Sequence, residues 1–390
     1  MTSNGKSFKE FNDEWQSINL ATIFQYFATN SFSRDQLSES GILKNLHYGD
    51  IHRKYNSIVN ENDEITSYIK DINYDNKYEL LKNNDLIFAD ASEDYEGIGK
   101  AVEVLNVNNK TISGLHTILA RDNLNVFAPM FKGYYFNSPI VHNQLRVLAN
   151  GFKVYGISKD SINKLNIKVP STNEQTKIAN TLYLLDKKIE LQSKKIEDLK
   201  LFKKGLILSL KKNSFDWHTV CIKDLFKITR GVVIPKNELS EFKSGEYKYP
   251  VYSSQTSNQG VLGYSDTFDF NGKYLTWTTD GANAGKVFYR NGKFRCTNVC
   301  GVLYEDNIKF TNELFAELLN YETPKHVSYV GNPKLMNNIM ANIKIKIPSN
   351  EIQENISLVI NTINHKVNLE TNKLLKLQEL KKGLMQSMFV

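Results

Sequence analysis

The sequence Pro170-Ser171-Thr172-Asn173-Glu174-Gln175 opens a long stretch that occurs twice in the chain. The first copy closes with Lys203-Lys204-Gly205-Leu206. The second copy opens with Pro348-Ser349-Asn350-Glu351-Ile352-Gln353 and closes with Lys381-Lys382-Gly383-Leu384. Both matched pairs are 178 positions apart (348 minus 170, and 381 minus 203). Because the offset is constant, neither copy has gained or lost a residue, which indicates an internal repeat.

Both copies carry apolar residues at alternating steps of four and three, which predicts long helices with a coiled-coil seam. The seam positions are Ile178, Leu182, Leu185, Ile189, Ile196, Leu199, Leu206 and Leu210 in the first copy and Ile356, Ile360, Ile363, Val367, Leu374, Leu377, Leu384 and Met388 in the second. Two further seam positions in each copy are polar, which restricts register and partners at some cost in stability. These polar positions are Gln192 with Lys203 and Glu370 with Lys381.

The start of each helix is also marked in the sequence. Thr172 is predicted to cap the first helix while Gln175 reaches back to it, and Asn350 with Gln353 repeats this arrangement. A heptad seam must be buried, and the nearest matching seam is the other copy. One interpretation is an antiparallel pair that only holds the chain together. The other is a spacer of roughly 60 Å per helix, at 1.5 Å per residue.

Composition bounds the class of protein. A chain of 390 residues with 41% hydrophobic residues can form two or three domains with their own cores. It has no apolar run long enough to span a membrane and no signal sequence, so we expect a soluble, cytoplasmic protein. Cys221, Cys296 and Cys300 form neither a disulfide framework nor a zinc pattern and are predicted to be buried thiols. A net charge of +7 permits a polyanionic partner without requiring one.

The segments before the two helices also match each other. Trp15 corresponds to Trp217 at an offset of 202, and Gly99-Lys100 corresponds to Gly285-Lys286 at an offset of 186. The offset therefore falls towards 178 without a change of order, as expected for one duplicated domain whose surface loops differ in length. The predicted domains are 1–170, with a disordered tail over 1–13, then a helix over 171–212, a second domain over 213–348 and a helix over 349–390.

Local patterns predict part of the internal structure of these domains. Leu46 to Lys54 is typical of a strand end followed by a loop, and Asp85 to Ala89 of a buried strand. In the second domain, a strand over Lys273 to Trp277 precedes a polar loop and a further strand from Val287. Asn291-Gly292 is predicted to close a tight hairpin. Together these elements predict α+β domains with mixed sheets.

The sequence lacks the motifs of the common enzyme classes. Gly281-Ala282-Asn283-Ala284-Gly285-Lys286 has too few residues between its glycines for a phosphate loop and no Ser or Thr after the lysine, so it predicts a tight loop between strands. An adenine methyltransferase would need a glycine-rich cofactor loop and an Asn-Pro-Pro-aromatic motif. Asn332-Pro333-Lys334-Leu335 lacks the second proline and the aromatic residue. We therefore predict a non-catalytic chain with no metal site and no bound cofactor.

Taken together, the chain resembles the DNA specificity (S) subunit of type I restriction–modification systems over nearly all of its length. In that family a Pro followed by a Glu-Gln pair commonly leads into each spacer helix. Pro170, Glu174 and Gln175 fit this pattern, whereas Ile352 replaces the glutamate in the second copy. The resemblance implies an α+β fold of two duplicated mixed-sheet target-recognition domains that alternate with two long helices, paired as an antiparallel coiled coil.

The resemblance also implies a function. Each recognition domain would read one half of a bipartite sequence in double-stranded DNA, while the helix pair would set the spacing and bind two modification subunits. Those partners would carry S-adenosylmethionine for adenine methylation. Restriction subunits would add cleavage that depends on ATP and magnesium, and no membrane partner is implied.

Candidate contact residues follow from the chemistry of DNA recognition. Arg, Asn, Gln and Ser side chains on loops suit base edges, whereas Lys side chains and backbone amides hold phosphates. The first-domain candidates are His47, Tyr48, His52, Arg53, Lys54, Ser92, Tyr95, Lys100 and Arg146. The second-domain candidates are Arg230, Ser253, Ser254, Gln255, Thr256, Thr279, Asn283, Lys286, Lys325 and Lys334.

Two other classes of function stay open at this point. A structural adaptor with duplicated protein-binding domains would bind DNA weakly and without regard to sequence. A stand-alone DNA-modifying enzyme is the other alternative, and the missing cofactor loop argues against it.

Overall fold

The structure is a computed structural model that describes residues 11, 14–61, 67–70, 78–151, 154–212 and 217–389. Apart from Phe11, the tail predicted over 1–13 lies outside the described residues. These residues divide into two compact units. The first unit comprises the residues up to 193 together with those from 373 onward, and the second comprises 194–372. Each unit therefore contains one sheet domain and a segment of both long helices.

The domain of the first unit is built on a five-stranded mixed sheet with the order β2-β11-β7-β9-β5. Its strands are β1 (Gln16–Ile18), β2 (Phe24–Phe27), β3 (Leu37–Ser38), β4 (Lys44–Leu46), β5 (Ile58–Asn60), β6 (Tyr68–Ile69), β7 (Leu86–Ala89), β8 (Ala91–Ser92), β9 (Ala101–Leu105), β10 (Thr111–Ser113), β11 (Thr117–Asp122), β12 (Tyr155–Gly156) and β13 (Ile167–Val169). Its helices are α1 (Leu20–Ile23), α2 (Tyr48–Arg53), α3 (Phe131–Tyr135), α4 (Pro139–Leu148) and α5 (Lys159–Asn163). A second sheet, β10-β4-β6-β3, carries α2 after β4.

The two faces of the five-stranded sheet pack against different cores. Leu86 and Phe88 of β7 belong to one apolar cluster, whereas the alternating residues Ile87 and Ala89 belong to another. All four residues of β7 are buried, as expected for a central strand that is covered on both faces. The prediction of a buried strand here is confirmed.

The domain of the second unit is built on a six-stranded mixed sheet with the order β15-β20-β18-β19-β16-β17. Its strands are β14 (His218–Cys221), β15 (Lys227–Arg230), β16 (Tyr249–Tyr252), β17 (Val261–Ser265), β18 (Phe270–Thr278), β19 (Val287–Cys296), β20 (Cys300–Tyr304) and β21 (Lys344–Ile347). Its helices are α7 (Ile222–Leu225), α8 (Glu313–Glu322) and α9 (Asn337–Asn342). Cys296 and Cys300 are buried free thiols as predicted, but Cys221 is only partly buried because it ends the short strand β14.

The duplication is visible in the strand order. Five strands follow the order β5-β9-β7-β11-β2 in one domain and β16-β19-β18-β20-β15 in the other. In both, the first pair is parallel and the others are antiparallel. The opening strand also pairs antiparallel with the strand that leads into the long helix, β1 with β13 and β14 with β21. One domain topology therefore occurs twice, as the sequence offsets predict.

The long helices are α6 (Thr172–Lys212) and α10 (Asn350–Ser387). They pair antiparallel in each unit. In the second unit, Lys195 Nζ lies 2.7 Å from Glu370 Oε1, and Lys203 Nζ lies 2.8 Å from Asn364 Oδ1. In the first unit, Lys381 Nζ lies 2.6 Å from an oxygen of Asp186. The predicted apolar seam positions are buried or half-buried, and the antiparallel coiled coil is confirmed.

Both helix starts use their glutamine differently from the prediction. Thr172 is the first helical residue of α6 and not the residue before it. Gln175 is buried and donates from Nε2 to the carbonyl oxygen of Pro170 at 3.0 Å. Gln353 makes the equivalent bond to Pro348 at 2.9 Å. The glutamines therefore fix the chain entering each helix and do not complete a capping box with Thr172.

Two local predictions were wrong. The segment after Leu46 forms helix α2 and not a loop, because His47 caps it by accepting a hydrogen bond at Nδ1 from the amide of Gly49 at 3.1 Å. Asn291-Gly292 lies within β19, opposite Lys273 and Gly272, and does not form a turn. The hairpin turn between β18 and β19 is instead the predicted tight loop at 279–286, since the Gly285 amide bonds the Thr278 carbonyl at 2.8 Å.

Candidate nucleic-acid interface

A cleft of about 880 Å³ lies in the first domain, between α2 and the turn that follows β8. Six of the nine first-domain candidates line it, namely His47, Tyr48, His52, Arg53, Ser92 and Lys100. Arg34 and His116, which the sequence did not single out, line the same cleft. The structure therefore brings together candidates that are distant in sequence. The lining combines aromatic and cationic side chains with the carboxylates of Glu93, Asp94 and Glu96.

The lining residues divide by exposure. His47 and Ser92 are only 4% and 5% exposed, and each bonds its own loop: His47 caps α2, and Ser92 Oγ donates to the Asp94 carbonyl at 2.8 Å. Burial, helped by the positive charge of Arg34, lowers the pKa of His47. Arg53 is exposed and makes no hydrogen bond or ion pair with the described residues. Arg53 is therefore better placed for a direct contact than the two buried residues.

Tyr48 and His52 form the aromatic wall of the cleft. The ring centroids of Tyr48 and His116 are 5.3 Å apart, edge to face. His52 bonds the Ala91 carbonyl at 2.9 Å through Nε2, and its own carbonyl accepts from Lys100 Nζ at 3.2 Å. These contacts hold the aromatic side chains in place, as a surface that stacks against bases would require.

The remaining first-domain candidates lie beside this cleft. The Arg146 guanidinium is 5.6 Å from the Tyr95 ring and forms an ion pair with Glu96, which also lines the cleft. Lys54 is not among the lining residues, and its ammonium lies 3.8 Å from Asp50. Tyr95 and Arg146 therefore extend the same surface, whereas Lys54 sits outside the cleft.

In the second domain, several loops meet at the segment from Thr297 to Cys300. Thr297 Oγ1 donates to Ser253 Oγ at 3.1 Å. The Thr279 amide bonds the Val299 carbonyl at 3.1 Å, and the Gly231 amide, next to Arg230, bonds the Cys300 carbonyl at 3.1 Å. These hydrogen bonds gather three loops that carry predicted contact residues.

A fourth loop joins them through Lys334, whose backbone pairs with Asp280. The Lys334 side chain is exposed and makes no bond to the described residues. Arg230 donates from Nε to Asn337 Oδ1 at 3.2 Å, so α9 holds it. Ser254, Thr256 and Asn283 reach the surface of these loops, and their side chains are also without a bond among the described residues.

The remaining second-domain candidates differ in exposure: Thr279 is buried and Gln255 is half-buried, whereas Lys286 and Lys325 are exposed. Thr279 is fully buried, and its hydroxyl donates to Asp280 at 2.6 Å, so its side chain does not reach the surface. Gln255 bonds the Val261 carbonyl. Lys325 pairs with Glu322 at 2.9 Å. Burial lowers the pKa of Lys286, and the charges nearest to it are those of Glu317, Lys203 and Lys200. Lys286 and Lys325 therefore face the helices α6 and α8 more than the loop cluster.

Sequence reasoning missed Arg290, which holds the loop from Ser253 to Gly260. Only 5% of Arg290 is exposed, and its guanidinium lies 3.5 Å from the centroid of the Tyr252 ring. It donates to the Gln259 carbonyl at 2.8 Å and to Thr276 Oγ1 at 3.1 Å. An arginine within the apolar strand pattern that starts at Val287 was the available signal, because buried arginines are rare unless they are paired.

The described residues also bear on metal binding and on membrane insertion. Within the described ranges, His, Cys, Asp and Glu side chains do not gather in groups of three or more that could hold a metal ion. None of the helices described combines the length and apolarity needed to cross a membrane.

Comparison with known proteins identifies the family. The family model described as the type I restriction modification DNA specificity domain matches residues 12–201 and 215–379, once for each domain and most of the helix that follows it. The chain belongs to this family. Specificity subunits are the non-catalytic component of the type I restriction–modification complex, so the resemblance found in the sequence and the non-catalytic role are confirmed.

Individual relatives agree with this assignment. A Mycoplasma pneumoniae chain named as the N-terminus of a type I specificity subunit, S.MpnORF289P, is 44% identical over 145 residues, which are 37% of this chain and 76% of the relative. A second, S.MpnORF365P of the same organism, is 34% identical over 220 residues, or 54% of this chain and 80% of the relative. The crystal structure of a type I S subunit from M. genitalium superposes with a TM-score of 0.66 at 15% identity and covers 99% of both chains, which shows the same fold.

Proposed function

We propose that this specificity subunit reads a bipartite DNA sequence, with one half-site for each of its two domains. The observation that carries the proposal is the duplication itself. One strand topology occurs twice, and each copy is followed by one helix of an antiparallel pair. Two readers joined in one chain can bind two sites at once, which raises affinity without new contacts. The domain boundaries that we propose are 1–170 and 213–348, with spacer helices over 171–212 and 349–390.

The proposed contacts are candidates that line or border the cleft of the first domain, or lie in the loop cluster of the second, with at least part of the side chain exposed. In the first domain these are Tyr48, His52 and Arg53 within the cleft, with Tyr95 and Arg146 beside it. In the second domain they are Arg230, Ser254, Thr256, Asn283 and Lys334. The buried residues His47, Ser92 and Thr279 are assigned to loop positioning. The other candidates are proposed to contact the DNA backbone or to support loops that do so. They are Lys54, Lys100, Ser253, Gln255, Lys286 and Lys325.

The helix pair is proposed to dock the modification subunits. Both long helices carry large apolar side chains that the seam does not bury. Leu184 and Leu191 of α6 are each 68% exposed, and in the second unit Leu201 and Phe202 of α6 are 68% and 62% exposed. Exposed apolar side chains that form a contiguous patch mark protein-binding surfaces. We propose two modification subunits that bring S-adenosylmethionine, and restriction subunits that bring ATP and magnesium chemistry, in a cytoplasmic complex.

A domain exchange tests the division of labour. Replacing Asp216 to Lys346 with the matching segment of a specificity subunit of different target should change one half of the methylated sequence. The other half should stay the same, because β14 pairs with β21 and closes the second domain on itself, as β1 and β13 do in the first. The measurement is genome-wide mapping of methylated adenines in cells that supply the modification subunits.

The matched control exchanges residues 1–170 and should alter only the other half-site. If either exchange changed both halves, the domains would not read independently. If purified chain bound all duplexes equally, a protein-binding adaptor would replace the proposed function.

A further inference from the structure

A second cavity, of about 470 Å³, lies in the first unit where the recognition domain meets the last turns of α10. It shares Glu96, Gly97 and Lys100 with the recognition cleft. Arg146 of α4 and Lys381 of α10 complete its charged lining. Because it shares lining residues with the cleft, DNA in the cleft would pass next to this cavity.

The cations of this cavity are incompletely neutralised. Lys381 is paired with Asp186 at 2.6 Å, and Arg146 is paired with Glu96. The Nε atom of Arg146 is buried and has no hydrogen-bond partner among the described residues. Lys100 donates only to the carbonyl of His52 and has no ion pair within the described part of the chain. Three cationic side chains therefore face two carboxylates, and burial together with the charge of Lys381 lowers the pKa of Lys100.

The cavity also contains groups that are neutral at pH 7. His142 lines it, and burial together with the charge of Arg146 lowers the pKa of this histidine, so it adds little positive charge. Asn143 accepts from Arg146 Nη1 at 3.4 Å, and its NH2 group makes no bond to the described residues. That NH2 group is a further donor for an anion.

The repeat supplies an internal comparison. Lys286 matches Lys100, and Lys203 matches Lys381, so the same two lysines are neighbours in both units. In the second unit the carboxylate of Glu317 pairs with Lys203, whereas Lys286, like Lys100, forms no ion pair with the described residues. Glu317 Oε1 accepts from Lys203 Nζ at 2.5 Å, and its charge also acts on Lys286. In the first unit, Asp186 pairs with Lys381, and no carboxylate of the described residues forms an ion pair with Lys100.

We propose that this cavity binds a phosphate group, and that the phosphate belongs to the DNA backbone. Lys381 of the C-terminal spacer helix then joins Lys100 and Arg146 in holding the duplex. The proposal rests on the proposed function, since it assigns a DNA contact to the spacer helix of the same subunit. Lysine and arginine side chains that converge on one cavity are typical of phosphate contacts.

The proposal predicts opposite effects on DNA affinity for two substitutions. Lys381→Gln removes one cation and should weaken binding of the full chain to a duplex of arbitrary sequence by about fivefold to tenfold at 0.1 M salt. The slope of log affinity against log salt is negative. Its magnitude should decrease by about 0.9, the value for one lost phosphate contact. Asp186→Asn removes the competing carboxylate and should raise affinity. The repeat itself carries asparagine at the equivalent position, Asn364, so this change suits the fold.

Fluorescence anisotropy across a salt series measures both variants, with Lys382→Gln as the matched control. Lys382 is exposed, is adjacent in sequence to Lys381 and does not line the cavity. The salt dependence of DNA affinity for Lys382→Gln should therefore match that of the wild type. Equal slopes for Lys381→Gln and wild type would overturn the proposal. If Lys381→Gln fails to fold, as judged by circular dichroism, Asp186→Asn decides: unchanged or lower affinity contradicts the proposal.

Inorganic phosphate distinguishes the source of the anion. We expect millimolar phosphate to compete with the duplex for wild-type chain and to compete less for Lys381→Gln. Thermal stabilisation by phosphate that depends on Lys381, combined with unaltered duplex binding, would indicate a free-anion site and overturn the DNA assignment. A wild-type chain that binds no duplex at any salt concentration would refute the proposed function itself, and the phosphate titration would still test the cavity.

Discussion

Gln175 donates a hydrogen bond from Nε2 to the carbonyl oxygen of Pro170 at 3.0 Å. The same side chain accepts at Oε1 from the amide of Ala128 at 2.8 Å, so one buried glutamine ties the start of α6 to the first domain. Gln353 repeats the bond to its own proline. The proline and glutamine of the pattern at the first helix start therefore connect α6 to the first domain.

Substituting Gln175 with leucine should destabilise the first domain by about 2 kcal/mol, because the buried Ala128 amide loses its acceptor. Chemical denaturation followed by tryptophan fluorescence measures the loss. The control is Asn173→Ala, since Asn173 is exposed on the same helical turn and should change stability little. Equal stability of the two variants would show that the glutamine is dispensable.

The ion pair between Lys195 and Glu370 predicts a second effect on stability. Glu370 is 5% exposed, and its carboxylate lies 2.7 Å from the ammonium. Lys195→Met leaves that carboxylate in the seam without this partner and should cost about 1 to 2 kcal/mol, less than a fully buried pair because half of the lysine side chain is exposed. Thermal unfolding measures the change, and the exposed neighbour Lys194→Met provides the control.

The double variant Lys195→Leu with Glu370→Leu tests the reason for this pair. An apolar pair at the seam should restore the lost stability or exceed it. If Lys195→Met were as stable as the wild type, the ion pair with Lys195 would not be needed to keep the Glu370 carboxylate buried in the seam.

Arg290→Met should alter recognition without removing a proposed contact. The guanidinium supports the Gln259 carbonyl and stacks on Tyr252, so its loss frees the turn that carries Ser254 and Thr256. We expect weaker discrimination at one half-site, by about tenfold, and unchanged recognition at the other. Methylation of libraries of target sequences measures recognition of both half-sites in one experiment. Loss of both halves would indicate general unfolding of the subunit.

The stability of the first domain should fall at acid pH through Glu61. Burial alone would raise the pKa of Glu61, but hydrogen bonds from Thr111, Asn108 and Asn109 and the charge of Lys44 lower it below its ordinary value of 4.5. A carboxyl group with a lowered pKa in the folded state stabilises the fold above its ordinary pKa. That contribution is lost as pH falls through the folded pKa, so the loss begins near pH 4.5 and grows below it.

Glu61→Gln should remove this part of the pH dependence. Thermal midpoints from pH 7 down to pH 3 measure it, and the variant should lose less stability than the wild type over the range below pH 4.5. A parallel decline in both proteins would assign the acid sensitivity to other carboxyl groups.

The sequence predicted the architecture well because the repeat is gapless where it is helical. A heptad seam tolerates no insertion without losing its register, so the offset between Pro170 and Pro348 survives in the sequence. The strand order could not be predicted from it. Sheet neighbours such as β5 and β9 are distant in the chain, and local patterns carry no information on which strands pair.

The candidate site was less predictable, and the reasons are local. Thr279 is typical of a polar loop residue, yet the converging backbone at Val299 buries it. Asn291-Gly292 is a frequent turn sequence, but β19 continues through it because Gly272 and Gly292 face each other in a long hairpin. In both places the tertiary contacts overrode the local preference.

The helix pair also predicts how an engineered spacer must be built. Each compact unit contains a segment of α6 and a segment of α10, paired through Asp186 with Lys381 in one unit and Lys203 with Asn364 in the other. A heptad added to α6 alone would therefore leave seven residues without matching residues on α10. We expect such a variant to fold poorly and to support little methylation.

Adding one heptad to both helices, by duplicating Ile189 to Lys195 and the equivalent Val367 to Lys373, keeps the seam in phase. The pair lengthens by roughly 10 Å, at 1.5 Å per residue. Since one base pair advances about 3.4 Å along the duplex, the gap between the half-sites should grow by at most about three base pairs. Both half-sites should stay unchanged because neither domain is altered. Mapping of methylated adenines, with the modification subunits supplied, measures the gap, and an unchanged gap would show that the helix pair holds the domains without setting their spacing.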